Sequence, residues 1–248
     1  MNRTPKKITP DRIKDSILLL NYTSNIPYQI LLGKFYDILT KKSNYILPLT
    51  PPNPQNPVIE FTEQPSGNGV TLGFGSEEWV LFNNVIKIQL RPYTIIFNCL
   101  DSYPSWDIYM PEVKKVLELF SELGHIIRYN SIQLRYISHF QNIDLTDIVR
   151  VDLTNHFDFQ DISSNYRKVL HSEVYNIIIN IANKLSNAQN PNSNEFLSVI
   201  DIAVTNDKIR TNNLYFLYEL IDNAHTLEKK TYFKTLTQAY IDSLNPIY

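Results

Sequence analysis

A chain of 248 residues with 43% hydrophobic and 19% charged residues has ample length for a core and too much apolar content for a disordered profile. Its net charge of −2 argues against a duplex-DNA binder, whose affinity comes largely from phosphate neutralisation. One cysteine, Cys99, excludes an internal disulfide framework and fits a reducing, cytoplasmic compartment.

The first 14 residues are basic and polar and lack the apolar stretch of a secretory signal. Residues 16–22 (SILLLNY) form an apolar run of strand length. Asn25, Ile26 and Pro27 then open a helix, with Pro27 near the first turn, where a missing N–H costs little. Ile30, Leu31, Phe35, Ile38 and Leu39 follow helical spacing. The proline-rich stretch 48–57 (PLTPPNPQNP) reads as an extended connection.

A run of strands follows over 58–61, 70–74, 78–82 and 85–91. Asn83 and Asn84 predict a tight antiparallel turn between the last two, because Asn tolerates the positive φ of hairpin turns. In 85–91, Ile86, Ile88 and Leu90 alternate with Lys87, Gln89 and Arg91, the pattern of a sheet with one dry and one wet face. Residues 94–98 continue the sheet. Residues 104–123 form an amphipathic helix with Val113, Val116, Leu117, Phe120 and Leu123 in one stripe. Ser105 or Asp107 supplies its cap, and Trp106 is expected to staple it to the sheet.

Residues 130–140, 174–182 and 196–205 read as further strands, with a polar loop at 187–194. Residues 213–244 read as one long helix with Leu217, Leu220, Ile221, Ala224, Leu227 and Leu236 on its buried side. The predicted class is α+β: largely antiparallel sheets with two long amphipathic helices. Two related β-β-α units, residues 1–143 and 144–248, are expected to pack as one globular body. The longest apolar runs, 17–20 and 177–179, fall far short of the ~20 residues that span a bilayer.

The chain contains no G-x-x-x-x-G-K, G-x-G-x-x-G, H-E-x-x-H, C-x-x-C or G-x-S-x-G. No cofactor, metal or catalytic residue is therefore predicted. Cys99 lacks a neighbouring base and reads as a small buried hydrophobe. His225 and Glu228 are three apart on the last helix and share a face, within reach of each other or of a metal. Asp144, Asp147, Asp152, Asp158 and Asp161 cluster in the middle, as a Mg²⁺-dependent hydrolase or a solvated linker would have them. Asp201 lies inside an apolar strand and must be paired if its face is covered. Arg135, also mid-strand among apolar residues, is the natural partner.

Segments 95–109 (IIFNCLDSYPSWDIY), 134–140 (LRYISHF) and 217–248, with YFK at 232–234 and SLNP at 243–246, resemble an uncharacterised, sporadically distributed family of bacterial and archaeal proteins of about this length. Residues 25–35, a polar turn with Pro27 entering a helix that holds Gly33, are similar to that family's opening. The resemblance covers nearly the whole chain, rests on packing motifs and implies no catalytic residues. The family's scattered distribution is that of mobile accessory genes, so it implies a bacterial accessory system of the defence or toxin-related kind.

The function expected is a non-catalytic partner or regulatory protein, bound to another protein or to itself. The 16 tyrosines and wet strand faces offer contact area. Arg135, Asp201, Trp106, Phe216, Tyr232 and Tyr240 are the interaction candidates, the last three because they fall partly outside the stripe of the terminal helix. A two-fold dimer through that helix is the economical form of self-contact. The alternative is an enzyme with a dispersed, metal-dependent hydrolytic site. Nucleic acid and membrane are not expected partners.

Overall fold

The computed structural model describes residues 4–6, 8–46, 58–62, 69–73, 79–100, 102–153, 163–186 and 195–248. The loops expected at 48–57 and 187–194, together with Asp158 and Asp161, lie outside the described residues. The elements run β1 (Ile13–Ser24), α1 (Tyr28–Lys42), β2 (Val58–Thr62), β3 (Gly69–Gly73), β4 (Trp79–Phe82), β5 (Ile86–Arg91), β6 (Thr94–Cys99) and α2 (Trp106–Glu122). They continue with β7 (Ile126–Gln141), β8 (Ser164–Ser172), β9 (Tyr175–Ser186), β10 (Phe196–Asn206), α3 (Leu214–Thr235) and α4 (Gln238–Ser243).

Eight strands form one sheet in the order β4-β5-β6-β1-β7-β10-β9-β8, with every neighbouring pair antiparallel. β2 and β3 make a separate hairpin. The fold is α+β, and its two halves share the one sheet. β1 and β7 sit side by side at the centre. β7 is followed directly by the meander β8-β9-β10, whose last strand returns to pair with it, and then by α3. β1 is followed first by α1 and the β2–β3 hairpin, then by the meander β4-β5-β6, whose last strand pairs with β1, and by α2. Each half is thus richer than the strand-strand-helix unit expected, and the first carries an inserted helix and hairpin.

Alternation assigns the two faces of the sheet. Leu18, Leu20 and Tyr22 of β1 and Ile132, Leu134, Tyr136 and Phe140 of β7 are buried in the core under the helices. α3 packs over β7 and β10, and α1 against α2, where Phe35 stacks on Phe120 at 3.8 Å. Val113, Val116, Leu117 and Phe120 are fully buried, as their spacing requires. Emptying one such site, for example by Phe120→Ala, costs about 3–5 kcal/mol. The opposite face carries Ile17, Leu19, Ile137 and a polar ladder. Thr94 Oγ1 donates to Asn21 Oδ1 at 2.7 Å, and Asn21 Nδ2 to Ser131 Oγ at 2.8 Å.

The β4–β5 hairpin forms at Asn83 and Asn84 as expected, with Phe82 opposite Lys87. Its mechanism differs, since neither asparagine has positive φ. Asn83 Oδ1 instead accepts from the backbone N–H of Val85 and Ile86 at 2.8 and 2.9 Å. At α2 the cap position is Ser105, but at φ 98° its side chain makes no capping bond, so that expectation is corrected. β8 was not expected at all: its side chains are mostly exposed and show no apolar period.

The long terminal helix is also corrected. α3 ends at Thr235, and Leu236 is extended at φ −83° and ψ 148°. The turn at 145–150 causes the break by supplying alternative partners. Arg150 N donates to Thr235 O at 2.8 Å, Arg150 Nε to Leu236 O at 2.7 Å, and Thr237 N to Ile148 O at 2.7 Å. No helix among the described residues is long and apolar enough to cross a membrane.

Candidate functional site

The densest polar arrangement lies under α3. Tyr103 and Trp106 enter it from the start of α2, and Tyr136 from the middle of β7. Asp222, His225, Glu228 and Tyr232 follow one another along α3 at spacings of three and four, which puts them on adjoining parts of its surface. The Trp106 indole N–H donates to Asp222 Oδ1 at 3.1 Å, and its ring stacks on His225 at 4.1 Å with planes 6° apart. Tyr136 Oη lies 3.0 Å from His225 Nδ1, and Tyr103 Oη 3.4 Å from Tyr136 Oη. Trp106 therefore ties α2 to α3, where a staple to the sheet was expected.

Glu228 is 4% exposed and has no hydrogen-bond partner among the described residues. Ser16, which stands opposite Tyr136 in register, and Tyr232, one turn beyond Glu228, are buried as well. The pairing of His225 with Glu228 that their spacing allows is not made: His225 bonds Tyr136 instead.

Burial sets the electrostatics. It drives the Glu228 carboxyl well above the usual carboxylate range, against the pull of Lys229 and with added repulsion from Asp11 and Asp201. Burial, then the Lys229 charge, lowers His225 to about 4. Burial likewise raises Tyr103 and Tyr136. His225, Tyr103 and Tyr136 are neutral at pH 7, and burial favours the protonated, neutral form of Glu228. A general acid or base works best with a proton affinity near the operating pH; the shifts of His225 and the two tyrosines run away from it, while that of Glu228 runs upward toward it. The cluster can hold two helices and the sheet together by hydrogen bonds and ring stacking.

Asp201 and Arg135 meet on the opposite face. The Asp201 carboxylate, 1% exposed, accepts from Arg135 Nε at 2.7 Å, Arg135 Nη2 at 3.0 Å and Asn180 Nδ2 at 3.1 Å. Arg167 Nη1 reaches the same Asn180 at 3.4 Å. The pair nominated by the sequence is a two-pronged, largely buried ion pair that links β7 to β10.

The mid-chain carboxylates do not converge where they are described. Burial raises the Asp144 carboxyl, but bonds from Lys184, Thr146 and Asn183 outweigh it and hold the group below its ordinary range. Among the described residues, no group of three His, Cys, Asp or Glu could hold a metal. Cys99 is buried, with Sγ 3.0 Å from Asp15 Oδ1. Burial, then the Asp15 charge, pushes its thiol up to about 12, against the reactive thiolate form.

The aromatic contact candidates divide. Phe216 is 48% exposed, as a contact residue would be. Tyr232 is buried, which corrects its placement on an outer surface: it sits one turn from Glu228 on the covered side of α3. Tyr240 is half-buried and packs on Phe140 at 6.3 Å, because the break at Leu236 turns α4 back onto the core. The most exposed aromatic among the described residues, Tyr215 at 86%, was missed. Its position beside Phe216 and outside the Leu217–Leu220–Ile221–Ala224 stripe was the available signal. Val174, 55% exposed in the β8–β9 turn, lies at this end of α3, since the neighbouring Tyr175 hydroxyl donates to Leu220 O at 3.0 Å.

Compared with models of known families and with curated proteins, the chain matches none.

Proposed function

We propose that this chain is a non-catalytic partner or regulatory protein acting through protein–protein contacts, in the cytoplasm, within a bacterial accessory system of the defence or toxin-related kind. The observation that carries the reading is the uncovered aromatic pair Tyr215 and Phe216 at the start of α3, with Val174 at the same end of the helix. Exposed tyrosine and phenylalanine offer large contact area at small entropic cost, and they are enriched where proteins meet. The shifts of His225, Tyr103 and Tyr136 away from pH 7 support the same reading, since these side chains are held by bonds and ring contacts within the cluster.

The accessory-system setting rests on the family resemblance. The enzyme alternative draws less support, because Asp144 is engaged by Lys184 and Cys99 is held as a thiol. Affinity capture of the full chain from cells of its source tests the proposal. The expected result is a discrete co-purifying protein, or a second copy of the chain, lost from the Tyr215→Ser/Phe216→Ser variant. Capture unaffected by that variant would overturn the assignment of the surface. Capture of nothing, with a monomer by light scattering, would overturn the partner reading itself.

A further inference from the structure

The two edges of the eight-stranded sheet are finished differently. β4 is four residues long, and the chain closes this edge itself: Ile46 and Phe82 exchange backbone hydrogen bonds of 3.0 and 3.1 Å. At the other end β8 runs nine residues and pairs only with β9 among the described residues. Five consecutive side chains there are exposed, Arg167, Lys168, Val169, Leu170 and His171, with Val169 at 58%.

Hairpin geometry shows which backbone groups this edge presents. Glu173, at φ 54°, and Val174 form a two-residue turn, with Ser172 opposite Tyr175. A two-residue turn closes on a hydrogen-bonded pair. The ladder then runs to Ser164 without a register shift. By antiparallel alternation, Asn165, Arg167, Val169 and His171 turn their N–H and C=O groups outward. A row of this kind, unpaired among the described residues, is a template for main-chain pairing with another strand.

Charge selects the occupant. β8 exposes Lys168 and carries no acidic residue. Self-pairing of two copies centred on Val169 or Lys168 would bring the two Lys168 ammonium groups into diagonal or direct contact, which is repulsive. An acidic strand is attracted instead, and its apolar residues find Val169 on one side of the sheet and Leu170 on the other. We infer that β8 is a docking edge for an extended acidic and apolar segment of the partner protein, which adds a ninth strand to the sheet. This rests on the partner reading above and gives that partner its chemistry.

The test uses the full chain and a capped nonapeptide of alternating valine and glutamate, with a valine–lysine peptide as control, followed by amide NMR and hydrogen exchange. The glutamate peptide should slow exchange at Val169 and His171 and bind at least about tenfold tighter than the lysine peptide. Val169→Pro should weaken that binding about tenfold or more with the amide spectrum otherwise preserved, because the lost N–H points away from β9. Should that variant fail to fold, Lys168→Glu replaces it and should reverse the preference between peptides.

Unchanged exchange on β8 with either peptide, or equal binding of both, would overturn the inference. So would protection of Val169 and His171 that appears with protein concentration alone, which would make the occupant a second copy. If β8 binds no strand while capture still depends on Tyr215 and Phe216, the docking edge falls and the partner reading stands.

Discussion

The Arg135 guanidinium grips the Asp201 carboxylate with two parallel hydrogen bonds, 2.7 Å from Nε to Oδ1 and 3.0 Å from Nη2 to Oδ2, diagonally across the β7–β10 ladder. Arg135 stands opposite Ala203 and Asp201 opposite Ile137, so each charge leans over its neighbour's partner. The Arg135 side chain is 17% exposed and that of Asp201 1%. Breaking a buried pair leaves one charge uncompensated, at about 3–5 kcal/mol. Asp201→Ala should therefore lower unfolding stability by that amount in urea titrations. The double replacement Arg135→Met/Asp201→Leu should recover most of the loss, because apolar residues of similar volume need no partner.

Glu228→Gln should stabilise the chain increasingly as pH rises. Burial raises the folded-state proton affinity of Glu228 above its ordinary 4.5. The folded chain keeps a proton that the unfolded chain releases above that pH. Wild-type stability therefore falls as pH rises from there, by at most about 1.4 kcal/mol per pH unit from this group. Gln has no proton to lose. Urea midpoints at pH 5, 6 and 7 should show the gap between variant and wild type widening in favour of Gln.

His225 acts in the opposite sense. Its folded value of about 4 lies below the ordinary 6.5. The stability it allows is present above pH 6.5 and lost as pH falls toward 4, by about 3 kcal/mol in all. His225→Phe keeps a ring against Trp106 but removes the titration. The variant should be somewhat less stable at pH 7, where the Tyr136 hydroxyl loses one of its partners, and flatter between pH 6.5 and 4. Tryptophan fluorescence through urea titrations at several pH values reads both effects.

Cys99 should resist alkylation in the folded chain at pH 8 and react promptly once urea unfolds it. It is 4% exposed, and its thiol is pushed up to about 12 by burial and the Asp15 charge. Labelling followed by mass measurement against urea concentration should track global unfolding. Fast labelling in the native state would show that the Asp15 end of β1 opens on its own.

What the sequence revealed follows physical range. β5 and β7 were legible because one wet face imposes a period of two, and the Arg135–Asp201 pair because a carboxylate in a covered strand needs a cation. β8 was not legible, since an edge strand with exposed side chains has no apolar period. The end of α3 was hidden because its cause, Arg150 bonding Leu236 O, lies 86 residues away in sequence. The cluster under α3 was half visible. The spacing of His225 and Glu228 put them together, but Trp106 reaches Asp222 across 116 residues and Tyr136 reaches His225 across 89.

The most direct test of the partner reading is site-specific photo-crosslinking in living cells. A benzoylphenylalanine placed at Tyr215 samples the proposed surface, and one at Ile30, 54% exposed on α1, samples a surface for which no role is proposed. The account predicts one discrete adduct from position 215, to a second protein or a second copy, and none of that mass from position 30. No adduct at 215, or the same adducts from both positions, would contradict it.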